Sequence, residues 1–304
     1  MEKKICLLLL VPLLSVGVIS CKAKREQAKD VDVVIISGQS NAVGCTKSDC
    51  ISSSISMEKY EEYTLGYPEI QIAYDCWTKD FPATGITYYS QNKSRKDDFT
   101  KISLGQGNSL STFGPEIGIA EATHEKHANK LFLVKFACGA SNLKDDWLKK
   151  NSPMYPRLVS YVKLQMDHLK EKGYNPTIKA FCWMQGEGDS YPGYHNVYLD
   201  NLTEFVSNIR AEFKEFAGGN EELPFIDAAI NPDRDVWQYG PEVNAAKQQF
   251  AALSENNIYI DTVAAGLHTD QEPFFSPDKC HYDSPSQVLL GNLFAQAFEP
   301  FLLK

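Results

Sequence analysis

The stretch VDVVIISGQSNAVG, residues 31–44, contains an apolar run that stops abruptly at Gly38, Gln39, Ser40 and Asn41. Branched apolar residues bounded by turn residues predict a fully buried strand of a parallel sheet. Gly, Ser and Asn are the usual residues of a tight turn, which would explain Ser40 without any chemistry. The alternative is that the strand presents Ser40 as a nucleophile at the carboxyl end of a sheet.

Other short apolar runs alternate with helical patterns along the rest of the chain. Together with 31–37, the predicted strands are 131–138, 177–184, 223–230 and 257–263, and the predicted helices are 116–128, 155–172, 194–216, 242–254 and 284–299. This alternation predicts an α/β fold, a three-layer α/β/α sandwich around a mostly parallel five-stranded sheet. In such folds ligands bind beyond the carboxyl ends of the strands.

Residues 45–112 interrupt the alternation and contain one strand-like run, at 70–77. They predict a β-rich insertion after the first strand that borders the site. The aromatic residues of the insertion either form a wall for stacking sugars or pack its own small core; they are Tyr74, Trp77, Tyr88 and Tyr89.

The N-terminus has the pattern of an export signal. Lys3 and Lys4 precede an apolar segment that is shorter than the roughly 20 residues of a spanning helix. Residues 18–21, Val-Ile-Ser-Cys, resemble the lipobox of bacterial lipoproteins, although an ordinary signal peptide with a chance cysteine is the alternative. We therefore predict a signal peptide at 1–20, a lipidated Cys21 with a tether to residue 30, and one catalytic domain at 31–304. After removal of the signal peptide, the protein would be an exported lipoprotein in the bacterial periplasm or on the outer membrane surface.

Charge and cysteine spacing exclude some other classes. The net charge is −9 and no basic stripe is present, which argues against nucleic acid as a partner. No cysteine pair has the C-x-x-C spacing typical of a zinc site. The six cysteines beyond Cys21 allow fifteen full pairings, of which Cys45 with Cys50 or with Cys76 is a plausible one. Cys138 and Cys182 lie in apolar runs and are interpreted as core residues.

The predicted strand ends carry the parts of an acyl-transfer site. The strand at 131–138 leads into Gly139, and the strand at 177–184 leads into Gln185 and Glu187. Just before the last helix lie Asp278 and His281. These residues offer an amide N–H, a carboxamide, carboxylates and an imidazole beside the hydroxyl of Ser40.

Five ordered motifs resemble the signatures of SGNH-type hydrolases, which have a flavodoxin-like fold. They are GQSN (38–41), FGPE (113–116), KFACGAS (135–141), WMQGE-x-D (183–189) and DKCH (278–281). The branch they resemble contains sialate O-acetylesterases and the acetylxylan esterases of carbohydrate esterase family 6. The resemblance implies Ser40 as nucleophile, and the backbone N–H groups of Ser40 and Gly139 with the Gln185 amide as oxyanion donors. It implies neither a metal nor any other cofactor.

Ala140 and the FGPE motif are interpreted from the backbone conformation that each of them favours. Ala140 stands where the relatives commonly carry glycine, and its Cβ resists a positive φ. FGPE is interpreted as a helix start, because proline and a carboxylate both suit the first turn.

His281 is the histidine best suited to act as the base. A hydroxyl needs a neighbouring base to become nucleophilic, and an imidazole exchanges protons near neutral pH. Asp278, three residues earlier, is the preferred partner for the imidazole, with Glu187 and Asp283 as competitors.

These residues predict a serine esterase that removes O-acetyl groups from glycans of the acetylxylan or sialic acid type. Two alternatives remain open: a lipase or lysophospholipase of the same fold, and a non-catalytic glycan-binding lipoprotein. Specificity is expected to depend on the insertion and on the loop at 231–242.

Overall fold

A computed structural model describes residues 28–95, 98–150, 152–219 and 222–303. The predicted signal peptide, Cys21 and most of the tether lie outside these residues. The described strands are β1 (Lys29–Gly38), β2 (Thr46–Lys47), β3 (Tyr67–Asp80), β4 (Thr87–Lys93), β5 (Thr100–Ile102), β6 (Thr112–Phe113), β7 (Leu131–Gly139), β8 (Tyr174–Met184), β9 (Phe225–Ala228) and β10 (Asn257–Ile260).

The main sheet has eight strands, in the order β10-β9-β8-β1-β7-β3-β4 with β5 paired to β3. The run from β10 to β3 is parallel, and β4 and β5 are antiparallel to β3. β2 and β6 form a separate antiparallel pair. The α/β class and the five predicted strands are confirmed, while the strand count is corrected from five to eight.

The insertion is β-rich, with β2, β3, β4 and β5 inside it, and it is continuous with the central sheet. Its strand β3 pairs in parallel with β7, from Gln71 beside Phe132 to Thr78 beside Gly139. Ile70, Ile72 and Cys76 of β3 are fully buried, so the strand extends the central sheet. Two short helices also lie within the insertion, α2 (Ser48–Ile51) and α3 (Met57–Leu65).

Five helices follow the predicted positions with shifted ends. They are α4 (Glu116–Thr123), α5 (Met154–Glu171), α6 (Tyr198–Phe213), α7 (Gly240–Ala251) and α8 (Ser284–Phe298). The single turn α1 (Ser40–Val43) lies outside the predicted helices. The predicted helix 116–128 ends at Thr123, and the helix predicted from residue 194 begins as a 3₁₀ turn, His195–Val197. Within the described ranges no helix combines the length and apolarity needed to cross a membrane.

Helices cover both faces of the sheet. Successive residues of a strand point to opposite faces, and β7 shows this at Lys135 and Phe136. Lys135 bonds to Glu116 of α4, which packs against α8. The ring of Phe136 contacts Tyr161 of α5 and Trp147. The fold is therefore the predicted three-layer sandwich.

The order in which successive strands join the sheet reverses at β1. From β1 the chain builds β3 and β7 on one side, then crosses to β8, β9 and β10 on the other. Such a switch point opens a crevice at the carboxyl ends of the strands. The first strand therefore ends where a ligand site is expected.

Candidate active site

Ser40 begins a single helical turn directly after β1. Gly38 has φ +137°, and a Cβ there would lie 2.0 Å from the Met184 carbonyl oxygen, so only glycine fits. The Gln39 N–H donates to the same oxygen at 2.9 Å. These contacts bring the ends of β1 and β8 together, and they leave Ser40 half-buried at the crevice.

Asn41 ties the serine turn to the loop that carries His281. Its amide nitrogen donates to Glu187 at 2.8 Å and to the Cys280 carbonyl at 3.3 Å, and its oxygen accepts the Tyr282 N–H at 3.1 Å. The two backbone partners flank His281 in sequence. One buried side chain therefore positions the turn, the end of β8 and the last loop relative to one another.

His281 and Asp278 form a hydrogen-bonded pair. Nδ1 of His281 lies 2.7 Å from one Asp278 oxygen, and the other oxygen accepts the N–H groups of Cys280 and His281 at 2.8 Å. Burial raises the pKa of Asp278, but the hydrogen bonds from His281 lower it below its ordinary value. Asp278 is thus held as a carboxylate facing the imidazole.

The other two acids considered for this position have different partners. Glu187 is 1% exposed and bonds to Asn41 through Oε1, while Oε2 has no hydrogen-bond partner among the described residues. Burial raises the pKa of Glu187. Asp283 accepts the backbone N–H groups of Gln271 and Glu272. Of the three, only Asp278 bonds to the imidazole in the described structure.

His281 and Cys45 line the same small cavity. Burial lowers the pKa of the imidazole, but hydrogen bonds to Asp278 and Cys45 raise it to about 11. Nδ1 is taken by Asp278, which leaves Nε2 for the other partners of the ring. Among the hydrogen bonds of the described residues, none joins the Ser40 hydroxyl to His281.

Gly139 lies beside Ser40. A Cβ at Gly139 would lie 3.9 Å from the Ser40 Cβ, so the ends of β1 and β7 are adjacent. The next residue, Ala140, has φ +58° despite its side chain. The loop thus has the left-handed backbone that the glycine of the relatives would allow.

Gln185 lies deeper than the oxyanion role requires. It is fully buried, and its amide nitrogen donates to Asp189 at 2.6 Å and to Gln39 at 3.2 Å. Both N–H bonds are therefore used inside the protein. Burial raises the pKa of Asp189 to about 6, although the N–H groups that donate to its carboxylate lower that pKa.

Gln39 occupies the position between Gln185 and the crevice. Its Oε1 accepts from the Gln185 amide and from the N–H groups of Gly186 and Gly188, at 3.0–3.3 Å. Its Nε2 donates to no described residue. Sequence reasoning missed both Gln39 and Asn41, although two carboxamides beside a serine after an apolar strand were a visible signal.

A cavity of about 450 Å³ borders these strand ends. Gln39, Ala140 and Gly188 lie on its inner side, and Phe81, Tyr191 and Trp237 are its aromatic residues. The aromatic residues predicted from the insertion do not line it. Tyr74 is buried, Trp77 packs on the core, Tyr88 donates to Asp146, and Tyr89 lines another cavity.

Glu116 starts α4 as predicted, but it also forms a buried ion pair. Its Oε2 lies 2.8 Å from the Lys135 ammonium, and both side chains are 0% exposed. Lys135 also donates to the carbonyl of Val43, the last residue of α1. This pair supports the Ser40 turn from beneath.

The described cysteines are free thiols, so neither pairing considered for Cys45 is present in the structure. Within the same residues no group of three or more His, Cys, Asp or Glu side chains is placed to hold a metal ion.

Several solved structures have a similar fold. Three of them are a protein of Arabidopsis thaliana (22% identity, 90% of this chain and 100% of that chain, TM-score 0.60), NanS (14%, 91% and 98%, 0.58), and a carbohydrate acetylesterase from Xanthomonas citri (13%, 89% and 56%, 0.50). A search of curated protein sequences gives no significant match.

The fold and the ordered motifs define an ester hydrolase of the SGNH type. A sequence-family model described as "carbohydrate esterase, sialic acid-specific acetylesterase" matches residues 30–299, which is most of the chain. The chain belongs to this family, and it is a carbohydrate acetylesterase in that general sense.

Proposed function

We propose that this protein is a serine-dependent O-acetylesterase acting on glycans, with Ser40 as nucleophile and His281 as base. One observation carries the proposal: the Asn41 side chain joins the serine turn to both residues that flank His281. Residues about 240 positions apart are thereby held at one point of the crevice. The tie supports the proposal because acyl transfer requires the serine and the histidine at the same point.

The proposed reaction proceeds through an acetyl-enzyme. Nε2 of His281 takes the Ser40 proton as Oγ attacks the acetyl carbonyl, and then gives it to the departing sugar oxygen. Water attacks the acetyl-enzyme in the second half, with His281 again as base. Asp278 fixes the ring through Nδ1 and stabilises the imidazolium.

The contact between His281 and Cys45 adds one step to this scheme. A raised pKa keeps the imidazole protonated at neutral pH, and a protonated ring cannot accept the Ser40 proton. The imidazolium therefore releases its Nε2 proton to solvent water and turns from Cys45 to Ser40 before attack. We expect this exchange when substrate enters the crevice.

For the oxyanion, the N–H groups of Ser40 and Gly139 remain the proposed backbone donors. We replace Gln185 by Gln39 as the side-chain donor, because the Gln185 amide is bonded internally and Gln39 Nε2 is not. Gln185 then holds Gln39 in place. Preorganised donors of this kind each contribute about 10²–10³ in rate.

The test compares hydrolysis of p-nitrophenyl acetate and p-nitrophenyl palmitate by the full chain. We expect acetate turnover that falls to the background rate in Ser40→Ala and persists in Ser53→Ala, an exposed control. Acetate release from an acetylated glycan then follows as the second assay. Preference for the palmitate would identify a lipase, and glycan binding without turnover would identify a binding protein.

We also propose that Cys21 is lipidated and anchors the enzyme outside the cytoplasm. The support is the Val-Ile-Ser-Cys sequence at 18–21 after a short apolar segment. In cells, Cys21→Ser should abolish labelling with a palmitate analogue. Unchanged labelling would contradict the proposal.

A further inference from the structure

The cavity that Gln39 and Ala140 border, next to Ser40, is largely apolar and aromatic and is poor in available positive charge. Its inner side is formed by Gln39, Ala140 and Gly188, which follow or adjoin the ends of three central strands. A glycan whose acetyl group reaches Ser40 would therefore place its sugar ring here. The charges that line this cavity decide which sugar rings it accepts.

Lys79 is the one basic residue among those that line the cavity in the described structure. Its ammonium lies 2.8 Å from Asp146, with only 4% and 0% of the two side chains exposed. Asp146 is fixed in turn by Tyr88 and by the Asn142 N–H. The positive charge of Lys79 is thus neutralised within the protein and is not available to a ligand carboxylate.

Asp145 contributes a carboxylate to the same cavity. It accepts hydrogen bonds from Tyr194 and Asn142, which are neutral, and it forms no ion pair with a described residue. Lys144 lies 5.0 Å from the Tyr194 ring centroid, but it donates to the Gly193 carbonyl and does not line the cavity. A second carboxylate entering the cavity would therefore meet the Asp145 charge without a compensating cation among the lining residues. Asp145 is exposed, so its repulsion of a ligand carboxylate is unfavourable and depends on ionic strength.

The outer wall suits the face of a sugar ring. Trp237 and Tyr191 contact each other edge to face, with ring centroids 6.5 Å apart. Aromatic side chains combine apolar faces with polar tips, as the C–H face and hydroxyl groups of a pyranose require. Trp237 comes from the 231–242 loop that the sequence singled out for specificity.

We propose that this cavity accepts an uncharged acetylated pyranose and discriminates against sugars that carry a carboxylate, sialic acids included. This inference rests on the proposed esterase function and narrows its substrate class. It separates this chain from what the family description alone would suggest. Asp145 acts as the specificity-determining residue.

The experiment uses two acetylated methyl glycosides that differ only at C6: 3-O-acetyl glucoside and 3-O-acetyl glucuronide. We expect kcat/KM to be at least roughly tenfold higher for the neutral sugar, and Asp145→Asn to reduce this ratio. The control is Glu255→Gln, which removes the same charge just before β10, at the opposite end of the sheet. It should leave the ratio unchanged.

The measured rates distinguish a failure of the substrate inference from a failure of the esterase function. Ser40-dependent release from both sugars at equal rates, or faster release from the glucuronide, would overturn the inference and leave the esterase function intact. An equal fall of the ratio in Asp145→Asn and Glu255→Gln would overturn the role of Asp145. No release from either sugar, with O-acetyl sialic acid also unreactive, would overturn both proposals.

Discussion

The buried Lys135–Glu116 pair makes the sharpest stability prediction. Lys135 donates to Glu116 at 2.8 Å, to the Gln106 carbonyl at 2.6 Å and to the Val43 carbonyl at 3.1 Å. Burial lowers the pKa of Lys135, but the charge of Glu116 raises it above its ordinary value, so the lysine stays protonated. Its charge is therefore part of the folded structure.

Replacing Lys135 by Met keeps the apolar stem and removes the charge. Glu116 is then a buried carboxylate without its cation, which costs about 3–5 kcal/mol. Because native domains are stable by only about 5–15 kcal/mol, this loss is large. In Lys135→Met with Glu116→Gln the uncompensated charge is gone, and we expect at least about 2 kcal/mol of the loss to be recovered.

The assay is urea unfolding of the two single variants and the double variant, read as a double-mutant cycle. Lys130→Met, at an exposed position just before β7, is the control and should change stability by under about 0.5 kcal/mol. A cost below about 1 kcal/mol for Lys135→Met, or strictly additive effects in the cycle, would refute the reasoning.

Three further predictions concern the site. Asp278→Asn should lower kcat by about 10²–10⁴-fold, because the imidazole of His281 loses its hydrogen-bond acceptor at Nδ1. Glu187→Gln should lower kcat far less. Equal losses of kcat in the two variants, measured by steady-state kinetics, would contradict this prediction. Cys45→Ala should move the acidic limb of the kcat/KM profile down by about 1–2 pH units, since one hydrogen bond that raises the pKa of His281 is lost. An unchanged acidic limb of the kcat/KM profile would show that Cys45 does not bond to His281. Ala140→Gly should raise the free energy of unfolding by about 0.5–1 kcal/mol in denaturant titration, because φ +58° strains a residue with a Cβ; destabilisation would show that the Cβ packs favourably.

Much of the architecture could be predicted because its signal is local. Each central strand is a short apolar run bounded by polar residues, and burial on both faces requires that pattern. The run at 70–77, now part of β3, is predicted as a strand of the insertion and not as a central strand, for the opposite reason. Its buried residues alternate with half-exposed ones, as at Gln71 and Asp75, because only part of its length is covered on both faces.

The aromatic residues of the cavity show a similar limit of prediction from sequence. Tyr74 and Trp77 of β3 are buried or half-buried against the core, whereas Tyr191 and Trp237 reach the cavity. Composition alone does not distinguish an aromatic residue that packs a strand from one that faces a ligand. The distinction depends on which face of the sheet is covered.

The sequence by itself determined the order of strands and helices, the position of Ser40 after the first strand, and the nearness of Asp278 to His281. These features depend on residues a few positions apart. The tertiary structure alone decided that Asn41 joins the serine turn to the last loop, and that the Gln185 amide bonds inward to Gln39. Buried polar groups must find partners wherever packing brings them, and those partners lie 146 to 241 residues away.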